Sequence, residues 1–295
     1  MEDNVGKRQK KNYRYHKALF LCGLATGWYV CWKRGVPFVK ESHTNWAIGI
    51  YSGDSPFNLV ASPEANNPVL TFKDVTDIRA RFVADPFMVY ENGTWYMFFE
   101  VFNEDTNQGD IAFATSNDGF HWTYQQVVFD EAFHLSYPYV FKWRNEYYMV
   151  PETKRANSVR LYKSVNFPFK WVFVGTLLDN IGCLDPSVFY FDGRWWMLTA
   201  SGKNDVLHLF YADNLTGLWT EHPKSPVVRG DPNKARPAGR VLVFDGKIIR
   251  YAQDDYPEYG NQVRAFEIIE LTTTSYEEKE LKQTGYALNS RCLPL

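Results

Sequence analysis

From residue 46 onward the chain is built of short apolar runs broken by Gly or Asn turns, and four stretches share one layout. Residues 84–90 lead to a turn at Asn92-Gly93 and an aromatic run at 95–100. Residues 136–141 lead to Arg144-Asn145 and then 147–152. Residues 184–189 lead to Asp192-Gly193 and then 195–200. Residues 237–244 lead to Asp245-Gly246 and then 247–251. Each stretch predicts a β-hairpin of apolar strand, tight turn and second strand.

The strand heads fall at Asp85, Tyr137, Asp185 and Ala238, at steps of 52, 48 and 53 residues. Each head lies 15 residues before the end of its second strand, at Glu100, Glu152, Ala200 and Gln253. A third strand follows each hairpin, at 111–116, 159–164, 207–212 and 263–268. Three of these lead to a tryptophan, Trp122, Trp171 or Trp219, which is expected to plug a blade. A fourth strand closes each unit, and four strands in about 50 residues make a propeller blade. Residues 46–53 resemble a third strand without its hairpin. The expectation is an all-β fold: a five-bladed β-propeller of four-stranded antiparallel blades, closed by both chain ends, with 261–280 sharing in the fifth blade. It would occupy 46–281, between a basic segment at 1–45 and a tail at 282–295.

In such a fold the first strand of each blade lines the central channel, and the channel mouth is the natural ligand site. The heads and the second-strand ends then meet there. This gathers Asp85, Glu100, Glu152 and Asp185 with Tyr137 and Gln253, while Arg81, Arg236, Arg240 and Asp254 lie close by in sequence. Crowded carboxylates push one another's pKa values apart, and glycoside hydrolysis needs one protonated and one ionised carboxyl. Asp85 is the candidate base or nucleophile, Glu152 the candidate general acid and Asp185 the modulating or orienting residue. Arg81, Glu100, Tyr137, Arg236, Arg240, Gln253 and Asp254 are candidate substrate contacts, because arginine forks grip carboxylates or phosphates and Gln or Asp can bond sugar hydroxyls. For any single Asp-Pro, the plainer reading is a turn or strand-entry residue.

Two resemblances rest on these motifs. The Asp-Pro strand heads resemble five-bladed propeller hydrolases of the arabinanase and levansucrase type. More closely, Phe82-Val83-Ala84-Asp85-Pro86, Tyr137-Pro138-Tyr139-Val140 with Met149-Val150-Pro151-Glu152-Thr153, Asp185-Pro186-Ser187-Val188, and Arg236-Pro237-Ala238-Gly239-Arg240 with Tyr251-Ala252-Gln253-Asp254 look like the N-terminal domain of the glucosamine inositolphosphorylceramide transferases. The resemblance implies a five-bladed propeller that meets a glycan or glycolipid headgroup. It also implies a glycosyltransferase partner, because that domain precedes a separate transferase domain in the plant proteins. With no second domain up to residue 295, the expectation is glycoside hydrolase-like chemistry rather than glycosyl transfer. The alternatives are a non-catalytic glycan-binding or accessory module and a scaffold whose carboxylates are neutralised by Arg81, Arg236 and Arg240.

Aromatic residues make up 17% of the chain, which suits a sheet-rich core and sugar-stacking surfaces. A formal net charge of −2 gives no electrostatic case for nucleic acid. The cysteines and histidines form no metal-ligand spacing and read as ordinary residues, so no metal or other cofactor is expected, although a carboxylate-rich channel has the oxygen ligands that suit Ca²⁺. Near the N-terminus, Lys7, Arg8, Lys10, Lys11 and Arg14 precede an uncharged run at 18–32. That run is shorter than the ~20 residues that span a bilayer core. A basic flank before an apolar run is nevertheless the pattern of a signal anchor, giving membrane attachment through 18–32. The other reading is a strand or helix packed on the domain. Sequons at Asn92 and Asn214 point toward the lumen of the Golgi or another secretory compartment, with a soluble protein as the alternative.

Overall fold

The computed structural model describes residues 46–56 and 58–281. The 18–32 run and the 1–45 and 282–295 segments therefore lie outside the described residues. No helix among the described residues is long and apolar enough to cross a membrane.

A two-stranded hairpin comes first, β1 (Tyr51–Ser55) and β2 (Asn58–Ala61). Four antiparallel sheets follow, each built from consecutive strands. The first holds β3 (Ala80–Glu91), β4 (Thr94–Asn103), β5 (Gln108–Ser116) and β6 (Thr123–Phe129). The second holds β7 (Ser136–Trp143), β8 (Glu146–Glu152), β9 (Ser158–Asn166) and β10 (Lys170–Asp179). In the third, β11 (Leu184–Phe191), β12 (Arg194–Ser201) and β13 (Val206–Ala212) are completed by two short pieces, β14 (Thr220–Glu221) and β15 (Val228–Arg229), which both pair with β13. The fourth holds β16 (Leu242–Phe244), β17 (Lys247–Asp254), β18 (Gln262–Leu271) and β19 (Tyr276–Glu280). The first strands of the first three sheets face one another, with β7 against both β3 and β11. This is a β-propeller with antiparallel four-stranded blades.

The four hairpin turns have a common local cause. Asn92-Gly93, Arg144-Asn145, Asp192-Gly193 and Asp245-Gly246 all have positive φ at both central positions. That is the primed turn whose twist matches the strands it joins. The blade tryptophans also share a role: the indole N–H groups of Trp122, Trp171 and Trp219 donate to Gly119 O, Pro168 O and Leu215 O at 3.0, 3.0 and 3.1 Å. Trp171 meets Phe98 edge-on at 5.5 Å and thereby packs the second blade on the first.

Two expectations are corrected at the ring's seam. Residues 261–280 belong to the fourth sheet, as β18 and β19, because both lie in register behind β17. Among the described residues they complete the fourth blade and pair with no other sheet. Among the described residues, 46–53 form no third strand of a blade: Ile48 bridges Leu70, and β1 pairs only with β2. This N-terminal piece nonetheless spans the gap between the last and first sheets. The Val83 N–H donates to Trp46 O at 3.3 Å, and the Tyr251 hydroxyl donates to Pro56 O.

Replacing Trp171 by Ala removes a buried indole and its hydrogen bond, so an unfolding loss of about 3–5 kcal/mol is expected in chemical denaturation. A loss under ~1 kcal/mol would mean that the indole does not join the two blades.

Candidate functional site

Three strand heads are backbone exceptions. Asp85, Tyr137 and Asp185 have φ of 53°, 46° and 51°, each in the left-handed region and each followed by proline. A side chain with a Cβ adopts that region at a cost, and a following proline adds to it. At the same place the pairing of each inner strand slips, between Ala84 and Phe87, Ser136 and Tyr139, and Leu184 and Ser187. The slip is a β-bulge, which re-aims a side chain out of the regular pleat. The fourth sheet departs further: Pro237 bridges Ala252, Gly239 has φ of 128°, and β16 starts only at Leu242. The expected strand over 237–244 is therefore mostly loop, and Arg236 stands at its head.

Asp185 is fully buried, and Glu100 and Glu152 are 6% and 7% exposed. The Arg236 fork grips Asp185, with Nε 2.5 Å from Oδ2 and Nη2 3.3 Å from Oδ1. Gln253 Nε2 also donates to Asp185 Oδ2, at 3.2 Å. The backbone N–H of Asp185 donates to Glu152 Oε2 at 3.3 Å. Asp85 is half-buried, within reach of the Asp185 and Arg236 charges and of the Tyr137 backbone N–H.

Burial pushes the Asp85 carboxyl up to about 7, helped by the Asp185 charge and opposed by Arg236 and by the backbone N–H of Tyr137. Burial holds Glu152 well above the usual carboxylate range, reinforced by the charge and hydrogen bonding of Asp185. Glu100 is raised well above that range as well, by burial first and then by Asp85, Glu152 and Asp185. Arg236 opposes all three shifts. Asp85, Glu100 and Glu152 thus feel one another and the Asp185 charge around a single guanidinium, and all three are raised.

The other expected contacts fall elsewhere. Arg81, inside a separate register shift between Ala80 and Val83, lies 3.4 Å from Glu104 and over the Phe102 ring. Arg240 reaches into the ring of inner strands, donating to Val140 O at 2.7 Å and Met88 O at 3.3 Å. It ties three blades together through its Nη2. Asp254 is buried beside Gln262 and Arg264 and makes no contact with the cluster. Tyr137 is 2% exposed; its hydroxyl accepts the Gly239 N–H at 2.7 Å and lies 2.8 Å from Ser187 Oγ. It is a strut beneath the site rather than a surface for a ligand.

Two residues outside the expected set belong here. His134 Nε2 lies 3.6 Å from Glu100 Oε1, and its Nδ1 accepts the Gly109 N–H at 2.8 Å. Burial lowers this imidazole's pKa, favouring the neutral ring with its proton on Nε2. The approach is tight enough that a Cβ on Gly109 would meet Leu135 O at 2.3 Å and Glu100 Oε1 at 2.7 Å. Tyr259 is the other, with the Arg236 guanidinium 5.3 Å from its ring centre. Only spatial proximity exposes either residue, since neither sits at a repeat position. The void lined by Ser187, Pro237, Gly239 and Tyr251 is separate, and none of the four carboxylates lines it. Among the described residues, no group of three or more His, Cys, Asp or Glu is arranged to hold a metal ion.

The fold is similar to that of a solved β-xylosidase structure, RS223, which aligns with a TM-score of 0.61 at 16% identity, covering 77% of this chain and 82% of that one. A family model, "Glucosamine inositolphosphorylceramide transferase 1, N-terminal", matches residues 39–289. Glucosamine inositolphosphorylceramide transferase 1 of Oryza sativa subsp. japonica is 37% identical over 268 residues, covering 83% of this chain and 36% of that protein. The Arabidopsis thaliana protein of the same name is 34% identical over 264 residues, covering 82% and 34%. The chain belongs to this N-terminal-domain family, and it spans about a third of the length of these curated relatives.

Replacing Asp85 by Asn keeps a side chain that tolerates left-handed φ and removes one charge from the cluster. Asp85 is raised from 3.8 to about 7, so the folded wild type is increasingly disfavoured as pH climbs between those values. The thermal midpoint of Asp85→Asn should therefore exceed that of the wild type by a few degrees at pH 8, with the gap closing below pH 4. A gap of the opposite slope would refute the assigned direction.

Proposed function

We propose that the Asp85–Glu100–Glu152–Asp185 cluster is a carbohydrate site with glycoside hydrolase-like chemistry. The observation that carries this reading is the buried Arg236–Asp185 ion pair, with Glu152 held on the Asp185 N–H and with Asp85, Glu100 and Glu152 all raised by burial. Glu152, kept protonated, is suited to protonate a leaving glycosidic oxygen. Asp85, half-buried and titrating near neutrality, is suited to act as base or nucleophile. Asp185, locked by Arg236 and Gln253, serves as the fixed charge that tunes Glu152. That the plant relatives are glucosamine inositolphosphorylceramide transferases supports a glycolipid headgroup as the substrate context and a glycosyltransferase as partner. A fifth blade built on the β1–β2 hairpin completes the ring in this reading, supported by that hairpin's ties to both neighbouring sheets.

A second reading, a module that holds a glycan without cleaving it, is favoured by one observation. Three of the four carboxyls are less than a tenth exposed, and Asp185 already accepts three N–H donors.

A panel of glycans and glycolipids, scored for both binding and cleavage, separates the two. On the hydrolytic reading, Asp85→Asn and Glu152→Gln each lower cleavage by about 10²–10⁴-fold while binding persists. The wild-type rate should rise as pH climbs through about 7, because Asp85 must be ionised to act. Binding with no turnover on any member, in wild type and variants alike, leaves the holding module as the function.

A further inference from the structure

Acid–base groups do not by themselves hold a sugar ring, which also needs a flat apolar surface. The loop 255–261 between β17 and β18 supplies one, and it is braced on several sides. The Asp255 carboxylate accepts from the Gly260 N–H and from Asn204 of the third blade, both at 2.9 Å. The Asp255 N–H donates to Pro232 O at 3.1 Å. Trp46 meets the Tyr259 ring edge-on at 5.9 Å, with an interplanar angle of 82°. Gly260, with φ of +67°, passes so near Trp46 that a Cβ there would lie 2.6 Å from its Cη2. The carbonyl of Trp46 is in turn bonded to Val83, two residues before Asp85. The two aromatic rings therefore link the strand that carries Asp85 to the loop that follows Gln253.

Tyr259 is 53% exposed, yet its phenol is within electrostatic reach of Arg236, Asp185 and Asp85. A core tyrosine would be covered, and a stray surface tyrosine would not be wedged against a buried ion pair. A fixed aromatic face beside a few convergent polar groups is the make-up of a small-molecule site.

We infer that Tyr259, steadied by Trp46 and Arg236, is the platform on which a sugar ring stacks beside Asp85, and that this ring carries no negative charge. The inference rests on the carbohydrate reading of the cluster and narrows its substrate class to neutral or amine-bearing sugars. The charge limit follows from the cations. Arg236 commits its fork to Asp185, and Arg240 donates to backbone carbonyls. A uronate or sugar phosphate stacked here would meet Asp85 and Asp255, while the guanidinium over Tyr259, that of Arg236, is committed to Asp185.

The test is calorimetric titration of the full chain with xylotriose, β-1,3-galactotriose, chitosan trimer and trigalacturonic acid. Folding of each variant is checked by its thermal midpoint. The wild type should bind at least one neutral or amine-bearing trimer and bind trigalacturonic acid more weakly than that trimer. Tyr259→Ala should weaken the tightest of these by about tenfold, whereas Tyr259→Phe, which keeps the ring, should stay within about threefold. Equal affinity in Tyr259→Ala and wild type overturns the platform and leaves the carboxylate reading standing. Tightest binding to trigalacturonic acid overturns the charge limit. No binding by the wild type to any of the four overturns this inference and the carbohydrate reading together.

Discussion

The site depends on one buried ion pair. Arg236 and Asp185 come from neighbouring blades, 51 residues apart, and their side chains are 12% and 0% exposed. Two charges taken out of water are tolerated only when they satisfy one another and their remaining hydrogen-bond capacity. Here the fork of Arg236 does most of this, and Gln253 adds a third donor to Asp185. The pair also sets the field for everything near it. The Asp185 charge raises Asp85, Glu100 and Glu152, and the Arg236 charge opposes each rise. Three further carboxyls can therefore be held at one centre without being driven apart.

The backbone that delivers these groups is itself strained. Left-handed φ at a residue with a side chain costs of order 1–3 kcal/mol, and it persists only where the surroundings over-determine it. Three successive inner strands carry this feature at the same repeat position, beside a bulge. In two of them the strained residue delivers a carboxylate to the cluster. In the other, Tyr137 delivers a hydroxyl that fastens the Gly239 turn of the fourth blade, and so helps to position the loop that presents Arg236. The strain and the ion pair are parts of one construction.

Much of the fold was legible in the sequence because its signals are local. A turn such as Asn92-Gly93 announces a hairpin by itself, and a repeated head-to-end distance of 15 residues announces that hairpins recur. The repeat then placed Asp85, Glu100, Glu152 and Asp185 together, since equivalent positions in a propeller converge. What the repeat could not carry was where long side chains go once they arrive. Arg81, Arg236 and Arg240 looked alike in sequence, yet one pairs with Glu104 at the edge, one with Asp185, and one with two carbonyls inside the ring. His134 and Tyr259 lie in connecting segments, off the repeat, and only the folded chain brings them to the cluster. The seam was misjudged for a related reason: 261–280 is strand-forming whichever blade it joins, and register alone assigns it to the fourth.

The most direct test of a single electrostatic unit is a carboxyl NMR titration of the ¹³C-labelled protein, wild type against Arg236→Gln. The account expects Asp85 to titrate near 7 in the wild type, with Glu100 and Glu152 well above ordinary glutamates. All three should move upward together when the guanidinium is removed, since it lowers each of them. Independent titrations near ordinary carboxylate values, unmoved by the substitution, would contradict it.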